Sequence, residues 1–494
     1  MKKLKIVSIS SELAPFSKSG GLGDVARSLP KAIHNLGHQV ICITPLYGQI
    51  IDKEEHGLKL IYENVDLRLN SQDVVKVNYW KGYLKKDLPV YFVENKQYFS
   101  RKQKPYQSGH ENVRFLIFNV AALKLISLMK FEANIIHCHD WQTGLIPFYL
   151  KTDFRYSKTL KKAKTVFTIH NLIFQMGTDW WKIPPGKKDY GRKKIPHITD
   201  PKIEYINFAK RAILSADIIN TVSEKYRDEL MTKKFGQDLH RVLINRQDRL
   251  FGILNGIDHK AYNPINDPGL YKNYSADNFY YKKENKKYLQ EKFGLTVNEN
   301  TPLICTTSRV TFQKGFMLIL KMLPPLIQMN LQMIIIGSGD KEYIKKIKQL
   351  ARKHPQKLAV LPSHEENQKY ETLVYAASDF FLLPSHYEPC GINQLIAMRY
   401  GCVPIVRKVG GLHDTVQNYN PLTNTGTGFS FTRFNSFILF GAIVRGLEDF
   451  WHKNKWNQLV QRVMRQSHGW ELPAKKYIKL YRIAMRMNGK GGKQ

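Results

Sequence analysis

The chain has 494 residues, 43% hydrophobic and 24% charged, a composition that fits two or three folded domains and excludes a disordered protein. Its 76 Lys and Arg against 41 Asp and Glu leave a net charge of +35, which calls for an anionic partner or for a generally basic, solvated surface. Five scattered cysteines form no CxxC pair, which argues against a zinc knuckle or a disulfide framework and leaves reduced thiols as the simplest account.

At the amino terminus the apolar stretch Leu4 to Ile9 reads as a first β-strand rather than a secretory signal, so a cytoplasmic protein is expected. The strand runs into SELAPFSKSGGLGDV (Ser11 to Val25), a glycine-rich loop that opens a helix. Gly20 and Gly21 remove side chains that would keep backbone N–H groups from a phosphate, and Lys18 can add a point charge. The spacing is neither GxGxxG nor a Walker A motif, so a plain tight turn is the competing reading. A helical pattern follows from Val25 to Leu36, then the apolar run QVICITP (Gln39 to Pro45). Phe115 to Met129 is the longest apolar run, but Asn119 and Lys124 interrupt it short of the roughly 18 residues of a membrane span.

In HCHDWQTG (His137 to Gly144), His137 and His139 share one face of an extended segment and Asp140 closes it. A zinc site is conceivable from these three groups, yet catalytic zinc recruits separated ligands and no partner set is apparent. A polar strand end that positions a sugar fits better, with Asp140 holding neighbouring loops or hydroxyls. His170, in TIHNLIFQ, ends the next strand and can donate to a hydroxyl or phosphate; a structural histidine is the alternative.

The segment Asn263 to Asn300, rich in Asn, Asp, Tyr and Lys, suits a linker with a short helix, giving domains 1–262 and 263–469. The strand rhythm resumes at LICTTS, MIIIG, LAVLP and VPIV, so two Rossmann-like units are expected. Arg309 and Lys314, in SRVTFQKG, follow the first strand of the second unit, and two cations in one βα loop match a diphosphate leaving group. Lysine clusters at Lys161–Lys164, Lys187–Lys194, Lys282–Lys287 and Lys341–Lys357 read as solvated surface; in the last, Ile344, Ile347 and Leu350 mark the dry face of an amphipathic helix. No RNP, zinc-finger or helix-turn-helix signature supports nucleic-acid binding.

After the buried strand SDFFLLP comes HYEPCGINQ (His386 to Gln394), which puts Glu388 at a strand-to-helix turn on the carboxyl edge of the sheet, where open α/β folds bind ligands. Pro389 fixes that turn and Gly391 lets the chain approach a ligand. A loose tail is expected at Gly489–Gln494.

Taken together, KSGGLGDV, HCHDWQTG, TIHNLIFQ, ILNGID, SRVTFQKG, MIIIGSGD, HYEPCGINQ and VGGLHDT resemble the bacterial and plant glycogen/starch synthase family, glycosyltransferase family 5, over nearly the whole chain. The resemblance implies an α/β GT-B fold, two Rossmann-like domains facing across a cleft, with a closing helix over Trp470 to Met487 and residues 470–494 returning to the first domain. It implies retaining transfer of glucose from ADP-glucose, or from UDP-glucose, to the 4-hydroxyl of an α-1,4-glucan, without metal or other cofactor. Carried over by residue, Lys18, Gly20, Gly21, Arg309, Lys314, Cys390 and Gly391 would bind the donor. Glu388, His170, Arg309 and Lys314 would serve catalysis, and Asp24, Tyr106, Asp140 and Asn255 would line the sugar or acceptor side. A sucrose- or trehalose-type transferase would share the fold, and a degenerate basic glucan- or nucleic-acid-binding protein is the reading from another class.

Two departures stand out. Ile396 occupies the position, eight residues after Glu388, where the wider retaining class often has a second Glu. In the base pocket, Glu366 falls where the bacterial synthases carry a Tyr suited to stacking on adenine; nearby only His364 offers a flat ring, with Tyr370 in the helical part.

Overall fold

The structure is a computed structural model that describes residues 2–70, 72–100, 105–106 and 109–487. Its contacts divide the chain into two compact units, Met1–Asn255 with Trp470–Gln494, and Gly256–Gly469.

In the first unit the strands are β1 (Lys5–Ile9), β2 (Gln39–Pro45), β3 (Lys59–Arg68), β4 (Val74–Lys85), β5 (Leu88–Glu94), β6 (Ile135–His139), β7 (Lys164–Ile169), β8 (Ile218–Thr221) and β9 (Leu250–Gly252). They form one sheet in the order β3-β4-β5-β2-β1-β6-β7-β8-β9, parallel except where β4 runs against β3 and β5. The inner strands KIVSI, VICIT and IIHCH are buried almost throughout, as a sheet covered on both faces requires. Connections after β1 and β6 leave toward opposite sides of the sheet, so the carboxyl ends of these neighbours flank a topological switch point. The pattern expected over Val25 to Leu36 forms the helix Gly21–Asn35.

The apolar run beginning at Phe115 becomes the buried helix Glu111–Leu128, and no helix among the described residues is long and apolar enough to cross a membrane. Asn119, fully buried within it, accepts from Leu145 N and Ile146 N at 3.0 and 2.9 Å, so its amide caps the helix Leu145–Lys151 rather than facing solvent. The helix expected over Trp470 to Met487 forms as Glu471–Arg486 and packs against β7 through buried Tyr477, Tyr481 and Ala484. The tail Gly489–Gln494 lies outside the described residues.

The second unit orders β10 (Leu303–Thr307), β11 (Gln332–Ile336), β12 (Leu358–Leu361), β13 (Phe380–Leu383), β14 (Val403–Arg407) and β15 (Phe429–Phe431) as β12-β11-β10-β13-β14-β15, all parallel. This is the 3-2-1-4-5-6 order of a dinucleotide-binding sheet, with its switch point between β10 and β13.

The stretch read as a linker folds onto this unit: Tyr274 is buried and donates its hydroxyl to Tyr400 O at 2.8 Å, and the helix Lys282–Lys292 packs on the core through Leu289. That helix corrects the reading of Lys282–Lys287 as solvated charge. Lys282 is buried and its ammonium lies 2.7–3.2 Å from four carbonyl oxygens, those of Tyr375, Ala376, Ser378 and Tyr400, while buried Lys286 meets Asp379 at 2.7 Å. Burial lowers the Lys282 ammonium to about 8, and the carbonyl cage offsets the cost of taking the charge out of water. The Lys341–Lys353 helix follows expectation, with Ile347 buried and its lysines in solvent.

Candidate active site

Two clusters of polar side chains gather at the carboxyl ends of the two sheets, one in each unit.

In the second unit the turn after β13 and the loop after β10 lie side by side at the switch point. Glu388 is 5% exposed, and its Oε2 meets Lys314 Nζ at 2.5 Å and accepts from Ser385 Oγ at 3.0 Å. Backbone contacts join the loops: His386 N donates to Gln313 O at 2.8 Å. Gly315, at φ +81°, passes so close that a Cβ there would sit 2.2 Å from Pro384 O. Arg309 is exposed, with Nη2 3.3 Å from Gln313 Oε1.

Gly410 opens the next helix, Gly410–Thr415, at φ +43°; any Cβ would fall 1.9 Å from Glu388 O, so the helix start closes on the turn only with glycine there. Cys390 is buried and Gly391 takes φ +70°, their carbonyls accepting from Gln394 Nε2 at 3.3 and 2.8 Å. Arg407, unremarked in the sequence, holds the turn from below, Nη1 donating to Ser385 O at 3.1 Å and His386 O at 2.6 Å. The structure thus brings Glu388, Lys314, Arg309, Cys390 and Gly391 to one edge, as their places in βα loops imply.

In the first unit the organiser of the glycine loop is Glu12, a residue the sequence reading passed over. Its buried carboxylate accepts from Ser19 N at 2.6 Å, Ser19 Oγ at 2.7 Å, Gly20 N at 3.2 Å and Tyr106 Oη at 2.6 Å. The expected role of Gly20 is therefore corrected: its N–H turns into Glu12 instead of toward a phosphate. Gly21 begins the helix and is exposed, and Lys18 pairs with Asp24 at 2.8 Å on the loop surface. Tyr106 sits under the loop, its hydroxyl shared by Glu12 and Ser11 Oγ. An acid inside SSELAPF was the available signal, since a tight loop whose N–H groups turn inward needs an acceptor there.

Across the switch point, Asp140 follows β6 at φ +57° and His170 follows β7. Asp140 Oδ1 accepts from His170 N at 2.7 Å and Asn171 N at 3.3 Å, so it does hold the neighbouring loop. His170 Nε2 lies 3.0 Å from His139 Nδ1, and burial lowers His170 to about 3, leaving it a neutral imidazole at physiological pH. Asn255, buried at the end of the unit, has no hydrogen-bond partner at Oδ1 among the described residues.

Burial, reinforced by the negative charge of Glu12, raises the Asp140 carboxyl from 3.8 to about 7 against the pull of its two N–H donors. A raised carboxyl stabilises the folded state at acid pH, and that contribution is lost as pH rises through about 7. Asp140→Asn keeps an acceptor for both amides and removes the charge. Its melting temperature relative to the parent is expected to rise from pH 5 to 8 and to level off above; a difference shrinking over that range would contradict the assignment.

The description "Starch synthase catalytic domain" matches residues 5–245, and "Glycosyl transferases group 1" matches residues 288–456. The chain is 38% identical to a glycogen synthase of Geotalea uraniireducens, covering 99% of this chain and all of that one, and 39% identical to a glycogen synthase of Clostridium botulinum, covering 97% and 99%. Among solved structures it is similar to the catalytic domain of Starch Synthase IV from Arabidopsis thaliana bound to ADP and acarbose, at 30% identity and a TM-score of 0.86 over 98% of this chain and all of that one. A sucrose-phosphate synthase from Thermosynechococcus elongatus, at 16% identity and a TM-score of 0.62 over 97% of this chain and 99% of that one, shares the fold alone.

Proposed function

Given that this chain belongs to the starch and glycogen synthase family of GT-B glycosyltransferases, we propose that it extends an α-1,4-glucan by retaining transfer of glucose from ADP-glucose. The observation that carries the reading is the Glu388–Lys314 pair beside Arg309, where β10 and β13 diverge. Arg309 and Lys314 neutralise the diphosphate as the bond from glucose C1 to its oxygen breaks. Glu388 orients the glucose and faces the positive charge that grows on its ring. The acceptor 4-hydroxyl oxygen bonds to C1 on the face the diphosphate leaves, and its proton passes to the departing phosphate oxygen. Lys18 and Gly21 are assigned to donor phosphate, and His170, Asp24, Tyr106, Asp140 and Asn255 to the sugar or acceptor side.

No cofactor enters this scheme. The enzyme is proposed to act in the cytoplasm on glycogen, with the positive surface serving neither membrane nor nucleic acid. The direct test supplies labelled ADP-glucose or UDP-glucose with glycogen to the purified full chain. Glucan-bound label supports the reading, and its absence with both donors would favour a degenerate binding protein.

Donor choice follows from the segment after β12. Ser363 and Glu366 form a reciprocal capping box at the start of the helix His364–Ala377, which ties up the residue standing where a base-stacking ring is expected. Tyr370 packs edge-on against Phe293 at 5.3 Å, and His364 is exposed. Losing a stacking ring costs about 1–3 kcal/mol by analogy with base–aromatic contacts. The ratio of kcat/KM for ADP-glucose over UDP-glucose is therefore expected below about 1000-fold, or roughly 4 kcal/mol, with ADP-glucose still preferred. A larger preference would sink the idea.

A further inference from the structure

Polar groups interrupt the inner strands of the first sheet in an ordered way. β1, β6 and β7 are adjacent and parallel, with Ser8 opposite His137 and His139 opposite Thr168 in register. Ser8, His137, His139 and Thr168 are each at most 5% exposed, at positions where a doubly covered parallel strand ordinarily carries Val, Ile or Leu. Burying two imidazoles there is unfavourable unless their nitrogens are satisfied. They are: His137 lies 2.8 Å from Tyr481 Oη and 2.7 Å from Thr168 Oγ1, and the His139 ring lies beside it with centroids 4.0 Å apart. His139 in turn spans from Ser8 Oγ, 3.3 Å from its Nε2, to His170 Nε2, 3.0 Å from its Nδ1. A polar chain thus starts within the sheet and ends on His170, whose backbone N–H is held separately by Asp140.

We propose that His139 is a positioning residue for His170: the chain Ser8–His139–His170 holds the ring and couples its tautomer to its own proton order, so that with donor bound His170 presents Nδ1–H to the donor sugar or its phosphate. All three rings are neutral, because burial lowers His137 and His170 to about 3 and His139 well below its ordinary value. Each therefore has one N–H and one lone pair. Two proton arrangements satisfy the chain. In one, the Ser8 hydroxyl donates to His139 Nε2, His139 Nδ1–H donates to His170 Nε2, and His170 carries its proton on Nδ1. In the other every donor and acceptor is reversed, and His170 Nδ1 is a bare acceptor. An electron-rich sugar or phosphate oxygen selects the first. His139 supplies what solvent would otherwise supply, a fixed donor at Nε2, without placing a charge next to a sugar ring that becomes positive.

The inference rests on the reading of His170 as a donor-contacting residue, and the experiment separates the two. Asparagine carries its amide where imidazole carries Nδ1, and glutamine where it carries Nε2. In the full-length protein, His139→Asn is expected to keep kcat within about 3-fold, while His139→Gln and His139→Leu lower it about 10-fold or more with donor KM little changed, since only asparagine can still donate to His170. Imidazole 15N spectra recorded with ADP-glucose bound and no glucan present, with His170 assigned through a His170→Gln variant, are expected to show His170 protonated on Nδ1. This holds the proposal to account even if a His139 variant fails to fold. Equal kcat for the Asn and Gln variants, or His170 protonated on Nε2, overturns it. His170→Ala is the control. If His170→Ala is impaired while the folded His139 variants are not, the relay alone falls; if His170→Ala turns over normally, the assignment of His170 falls with it.

Discussion

Arg309→Ala and Lys314→Ala are each expected to lower turnover by about 100-fold or more, on the order of 3 kcal/mol, because each removes a positive charge whose effect grows as the diphosphate departs. The two differ in what they do to the fold. Arg309 is exposed and touches only Gln313 at 3.3 Å among the hydrogen bonds of the loop, so its loss should leave stability within about 0.5 kcal/mol of the parent. Lys314 is the cation paired with Glu388, their side chains 16% and 7% exposed, and its removal leaves a nearly buried carboxylate uncompensated. A cost of up to about 3 kcal/mol in stability follows for Lys314→Ala, and only Arg309→Ala is expected to leave folding undisturbed. The measurement is kcat on purified protein at a temperature where both variants are folded, with thermal melts alongside. Wild-type-like kcat in a folded variant removes that residue from the diphosphate.

What could be read from the sequence followed from burial on both faces. Parallel strands such as β1, β2, β10 and β13 are short continuous apolar runs, and the loops after them concentrate the chemistry, so Lys18, Asp140, Arg309, Lys314 and Glu388 could be placed in advance. The antiparallel edge strands β3 and β4 escaped because they are half-solvated and β3 carries register shifts near Tyr62 and Val65; KLIYENVDLR shows no clean period. Glu12, Ser385 and Arg407 escaped for another reason. Arg407 reaches backbone carbonyls, Ser385 the Glu388 carboxylate, and Glu12 both backbone amides and hydroxyls, and a sequence does not say which of these groups a side chain will reach. The lysines at Lys282 and Lys286 misled because charge is read as solvent exposure, whereas a carbonyl cage and Asp379 satisfy them inside. The doubled histidine of HCHDW, read as a polar strand end in preference to a zinc site, has its ring nitrogens paired with Tyr481, Thr168, Ser8 and His170.

Glu388→Gln is expected to lower kcat by about 100-fold while donor KM shifts only a few-fold, the signature of an interaction made mainly in the transition state. The substitution is nearly isosteric. A glutamine oxygen can still accept from Ser385 Oγ and from Lys314 Nζ, which meet the same carboxylate oxygen at 3.0 and 2.5 Å, so the turn built on Gly391 and Gly410 should persist. What disappears is a full negative charge at the carboxyl edge of the sheet. In the ground state of the proposed reaction that charge faces a neutral glucose and contributes little to donor binding. As the bond to the diphosphate lengthens, positive charge gathers at C1 and the ring oxygen, and a fixed carboxylate in a site that excludes water becomes worth several kcal/mol. Lys314 adds a second consequence. Freed from its anion, it faces the phosphates with its charge undivided, so donor affinity in the variant should hold or improve even as chemistry slows. Steady-state kinetics with ADP-glucose and glycogen decide the matter, and a variant altered in KM alone would assign Glu388 to ground-state binding instead.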